Sequence, residues 1–159
     1  MRVASKDKIV PAILRVVGIF FLINCDFLQN EKPNSMNATV SLVLRILLGL
    51  FLLVFGIDKF FHFLSLPPIP GDGGILMDIY AKSGFLYIIG LLEVLAGIAL
   101  LVNKFVPLAL IFSIAIFFNA AFIHLIYDPL NVIGALVGLV ISFALVFGNR
   151  ERFSGILSA

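Results

Sequence analysis

Of 159 residues, 62% are hydrophobic and only 13% charged, whereas a soluble domain carries about 25% charged residues. With a mean hydropathy of +1.18, much of the surface demands lipid as its solvent. A net charge of +2 with scattered basic residues excludes nucleic acid as a partner. The single cysteine, Cys25, rules out an internal disulfide and any CxxC redox or zinc motif.

The chain begins with an apolar run over residues 9–23, preceded by Arg2, Lys6 and Lys8 and interrupted by Pro11 and Arg15. It is too short to span comfortably and no small-x-small cleavage site follows it. A polar linker over residues 29–37 comes next. These features predict an N-terminal extension over residues 1–36 that does not span, a four-helix membrane domain over 37–152 and a short tail over 153–159. The expected fold class is all-α, a transmembrane four-helix bundle.

The first expected span covers residues 40–61, with Asn37 or Thr39 as its N-cap. Its polar and small residues, Arg45, Gly49, Gly56 and Lys59, recur at i, i+4, i+11 and i+14 and so share one stripe that should face protein. For Lys59, snorkelling to the interface is the alternative. Residues 65–82 hold three of the seven prolines and predict a loop, with room for a short interfacial helix over 74–81. A second span over 83–102 follows. It carries Glu93 near its centre, the depth at which an unpaired charge is least tolerated. Gly90 and Gly97 flank that acid at i−3 and i+4, which places it on the small-residue face where another helix packs.

The third expected span, 105–126, starts with Pro107 in its first turn and is dense in phenylalanine. Ser113, Phe117, Ala120 and His124 share a face, while Asn119 points elsewhere. In the fourth, 130–148, Asn131, Gly134, Gly138 and Ser142 form a stripe suited to close packing. Lys104, Arg150 and Arg152 fall at one end of this bundle. Asp58, Asp72, Asp78 and Asp128 fall at the other, beside only Lys59 and Lys82. The positive-inside rule then places both termini in the cytoplasm.

The order of Arg45, the Gly-x-x-Lys of Gly56 and Lys59, the Pro-rich loop with Pro67 and Pro68, and the Gly-x-x-Glu-x-x-x-Gly of Gly90, Glu93 and Gly97 resembles the DoxX family. The resemblance runs over residues 36–150. It implies a small four-span protein of the bacterial inner (plasma) membrane. Because that family includes subunits of a thiosulfate:quinone oxidoreductase and proteins that organise membrane redox enzymes, it also implies a quinone or a membrane or periplasmic oxidoreductase as partner. Fold-level analogy does not settle function.

Two constellations are candidate sites. The first is a buried polar site of Arg45, Lys59 and Glu93. Antiparallel packing is expected to set Glu93 level with Phe51 or Leu52, between the two cations, with an ionised Glu93 bridged to Arg45, whose fork matches a carboxylate. Such a pair either forms a proton or ligand site or simply fixes helix register. The second is a polar cluster at the outer end, made of Asp58, Lys59, His62, Asn119, His124, Asp128 and Asn131. It would solvate the interface or hold a polar ligand or proton, and no short ligand spacing supports a metal. Phe117, Phe118 and Phe122 would stack on a quinone ring or pack against core and lipid. Two functions stay open, and neither makes the chain a self-contained enzyme: a redox-associated subunit that binds a quinone or partner oxidoreductase around Glu93, and a small proton-coupled transporter or permease. A structural scaffold is a third reading, and a homo-oligomer is compatible with each.

Overall fold

The computed structural model describes residues 36–153, together with Gly18. The apolar run at 9–23, Cys25, most of the expected extension and residues 154–159 lie outside the described residues. The chain is an all-α membrane bundle, with five α-helices and no strand among the described residues: α1 (Ala38–Phe61), α2 (Asp72–Lys82), α3 (Phe85–Leu101), α4 (Val106–Tyr127) and α5 (Ile133–Gly148). A 3-10 turn, Pro129–Asn131, precedes α5, and a 3-10 helix, Arg150–Phe153, follows it.

Asn37 caps α1 by accepting from the Thr39 N–H, satisfying one donor that the first turn leaves open. At the other end His62 takes a left-handed conformation, and Asp58 Oδ1 accepts from Leu64 N at 2.7 Å, turning the chain out of the helix. The 24 residues of α1 and the 22 of α4 extend about 36 and 33 Å, enough for a hydrocarbon core of ~30 Å. Helix α3 reaches comparable apolar length only together with α2, across a bend of 79°, and α5 is a shorter apolar helix. Gly84, at φ 77°, makes that bend in a backbone conformation that side chains disfavour. The segment over 65–82 contains the short helix expected over 74–81, which extends by two residues at its start and one at its end. Helix formation resumes at Asp72, and Gly73 packs so tightly under Tyr127 that a Cβ there would lie 2.6 Å from the tyrosine Cβ.

Helices α1 and α3 pack antiparallel at two crossing points of the same kind. A methyl group on Gly97 would lie 2.8 Å from the Gly49 carbonyl oxygen, and one on Gly49 would lie 3.1 Å from that of Gly97. One heptad along each helix, Gly56 and Gly90 repeat the arrangement, each with its missing Cβ 3.0 Å from the other's carbonyl oxygen. The backbones therefore touch where no side chain intervenes. Leu48, Leu52, Leu100, Leu110 and Leu145 fill the core beside this seam.

On α5 the buried stripe is Ala135, Gly138, Ser142 and Leu145, whereas Gly134 is exposed and Asn131 falls in the 3-10 turn. Gly138 and Ser142 thus lie on the packed face as expected, and Ala135 takes the place of Gly134. Gly138 faces the Phe117 ring of α4, and Ala121 is buried there where Ala120 was expected. Ser113 and Ser142 donate back to the carbonyls of Ala109 and Gly138, so neither hydroxyl is free to act on a ligand. Phe153, assigned by sequence to the tail, packs against the core instead.

Substituting Gly97→Ala is expected to destabilise the detergent-solubilised protein by about 1–3 kcal/mol through overpacking. Gly134→Ala, with only Phe51 Cζ within 4 Å of the added methyl, should be neutral or slightly stabilising. Thermal unfolding of the two variants checks the difference.

Candidate functional site

The glycine register decides which cation meets Glu93. Gly56 lies directly opposite the acid, with its absent Cβ 2.9 Å from Glu93 Cβ. One turn further along α1, the Lys59 stem crosses α3 over Gly90, where an added Cβ would sit 3.0 Å from Lys59 Cβ. The two glycines thus open a slot across the helix interface. In it Lys59 Nζ donates to Glu93 Oε2 at 2.6 Å and to the carbonyl of Phe55, on its own helix, at 3.4 Å. The side chains are 21% and 6% exposed, respectively.

Arg45 is not the partner of Glu93. It is 1% exposed, but with Glu93 level with Gly56 instead of Phe51 or Leu52, it lies eleven residues or ~16 Å away along α1. Arg45 belongs to the opposite end of the bundle, one turn from Ser41, whose Oγ accepts from Asn149 Nδ2 at 3.4 Å. The sequence reading located the acid and both cations. It missed the glycine contacts that shift the register by about one turn.

An ammonium has three N–H donors and a carboxylate two acceptor oxygens. In the pair, two donors and one oxygen are engaged, and Glu93 Oε1 accepts from no described residue. What remains is a donor beside an acceptor. Phe51 and Phe55 stack with centroids 4.4 Å apart on the α1 face that continues to Lys59, Phe51 also meets Phe117 at 5.5 Å, and Phe60 lies 5.6 Å from Tyr87. The role of Phe55 was legible only as its i, i+4 spacing to Lys59. Phe118 and Phe122 are exposed on the outside of α4.

The outer cluster separates into local groups. Asp58 is engaged in ending α1 and His62 is exposed. His124 Nδ1 lies 3.7 Å from Asp128 Oδ2, which also accepts from Asn131 Nδ2 at 2.8 Å. Asn119 is exposed and joins neither group. Among the described residues, no three His, Cys, Asp or Glu side chains come together as metal ligands do.

An all-helical bundle with apolar outer faces and an acid–amine pair between its helices defines an integral membrane protein with a polar site inside. The DoxX family profile matches residues 40–126, more than half of the chain, and the chain belongs to that family. The match includes Arg45, Lys59, Glu93 and His124 and stops before Asp128 and Asn131. No curated protein and no solved structure matches the chain.

Removing one charge of a buried pair leaves the other without compensation. Glu93→Gln should therefore cost about 3–5 kcal/mol, and Lys59→Met with Glu93→Leu should recover most of it. Combining Glu93→Leu with Arg45→Met should give no such recovery, as equilibrium unfolding in detergent would show.

Proposed function

We propose that the protein is a redox-associated subunit of the bacterial inner membrane that binds a quinone at the Lys59–Glu93 pair and works with a partner oxidoreductase. The observation that carries this reading is the adjacent donor and acceptor at the end of the Phe51–Phe55 stack. A quinone carbonyl suits the remaining Lys59 donor, and a quinol hydroxyl suits Glu93 Oε1. Flat rings suit the aromatic row, which binds them by stacking. When bound, the quinone supplies the electron chemistry, with the partner oxidoreductase as its reductant. The chain's own residues orient the head group and hold it away from water.

The membrane arrangement in this proposal is multi-pass with both termini cytoplasmic. It is supported by the hydrogen bond from Arg152 to Asn103 at 2.8 Å, which gathers Lys104, Arg150 and Arg152 at one end, as the positive-inside rule requires of a cytoplasmic face. Asp72, exposed at the start of α2, then faces the periplasm. In a Cys25→Ser background, Asp72→Cys should react with a membrane-impermeant maleimide in cells with a permeable outer membrane. Labelling only after the inner membrane is breached would reverse the orientation.

Quinone binding is tested with the charge-free variant, because Lys59→Met with Glu93→Leu preserves packing while removing donor and acceptor. The purified native protein should retain extractable quinone and bind a short-chain quinone with at least about tenfold higher affinity than this variant, the factor expected for about 1.4 kcal/mol of lost hydrogen bonding. Equal affinity in the two would overturn the proposal. Proton-coupled solute uptake in liposomes without quinone binding would favour a transporter.

A further inference from the structure

At the end of the bundle opposite the Lys59–Glu93 pair, α3 reverses into α4 through a short turn in which Asn103 at φ 56° and Phe105 at φ 55° are both left-handed. Such conformations are unfavourable for residues with a side chain, above all for a bulky one. Their consequence is the display of Lys104, which is exposed between them, and of Phe105, 75% exposed. Facing the turn is the 3-10 helix Arg150–Phe153. Phe153 packs it on the core, and Arg152 Nη1 fastens it to Asn103 Oδ1. Arg150 and Arg152 are exposed on this anchored element, and Phe147, 73% exposed, lies one turn before it.

We propose that this rim binds the headgroup of an anionic phospholipid. Lys104, Arg150 and Arg152 belong to this edge, where Glu151 is the acid between the two arginines in sequence, an excess of positive charge that a phosphodiester complements. Phe105 and Phe147 stand beside these cations and continue into the exposed apolar faces of Leu108 on α4 and Phe143 on α5. A ligand that meets the cations therefore has exposed apolar surface directly below it. That continuity selects a lipid over a soluble anion or an acidic protein segment, because only a lipid brings an apolar chain to the exposed surface beside the cations. Both elements carrying the cations are held in place, so the headgroup meets a preformed edge.

The test is native mass spectrometry of the detergent-solubilised full chain with phosphatidylglycerol and phosphatidylcholine of matched acyl chains. The wild type should retain phosphatidylglycerol preferentially. Lys104→Gln and Arg150→Gln, both at exposed positions, should each weaken phosphatidylglycerol binding by about fivefold, the factor expected per basic residue at an anionic surface, and leave phosphatidylcholine unchanged. Lys82→Gln, at the other end, should alter neither. The proposal is overturned by equal retention of the two lipids, by an unchanged preference in the Lys104→Gln/Arg150→Gln double variant, or by an equal effect of Lys82→Gln. Displacement of the lipid by millimolar inorganic phosphate would make this a free-anion site and would overturn it too.

Discussion

The rest of this structure depends on the reciprocal approach of Gly49 to Gly97 and of Gly56 to Gly90. In a bilayer, lipid tails solvate a helix as well as another helix does, so association relies on close packing and weak polar contacts instead of the hydrophobic effect. Four absent side chains let each backbone touch the carbonyls of the other, where weak Cα–H···O contacts add to dispersion. Because the glycines recur seven residues apart on both helices, the two crossing points reinforce a single register. A slide of one turn would drive Leu53 or Val94 into the opposing backbone.

That register converts an expensive acid into a paired one, and the identity of its partner has chemical consequences. An arginine fork meeting Glu93 would engage both carboxylate oxygens and close the site. Lysine is a point charge on a flexible stem. Lys59 engages Oε2 alone and leans on the Phe55 carbonyl, which leaves hydrogen-bonding capacity on both members of the pair. A closed pair serves as a register pin. An incompletely satisfied one is also a place for a polar head group to bind in an otherwise apolar interior.

The two ends of the bundle are finished differently. At the acidic end the chain leaves α1 through a proline-rich loop, runs across the bundle as α2 and turns by 79° into α3. Gly73 beneath Tyr127 holds the crossing helix against α4. At the basic end α3 passes into α4 through a short turn. Asn149 bonds to Ser41, Arg152 bonds to Asn103, and Gly148 packs against Met36, so the start of α1, the ends of α3 and α5 and the turn into α4 are tied together.

Composition and apolar run length by themselves determined that this is a helical membrane protein, because no other solvent accommodates so little charge. The spacing of Gly90, Glu93 and Gly97 likewise determined that the acid faces a neighbouring helix, since helical periodicity is a local property. Arg45, Gly49, Gly56 and Lys59 were placed on the protein-facing stripe by the same reasoning. Only the tertiary structure decided that Lys59, and not Arg45, pairs with Glu93. That choice depends on which carbonyl each glycine meets across the interface, and a shift of one helical turn leaves every single-helix pattern unchanged. The same limit explains the outer cluster. Sequence brought Asp58, His124, Asp128 and Asn131 to one end, but Asp58 accepts from Leu64 N and Asp128 from Asn131, with His124 3.7 Å from Asp128, so local partners divided what topology had gathered.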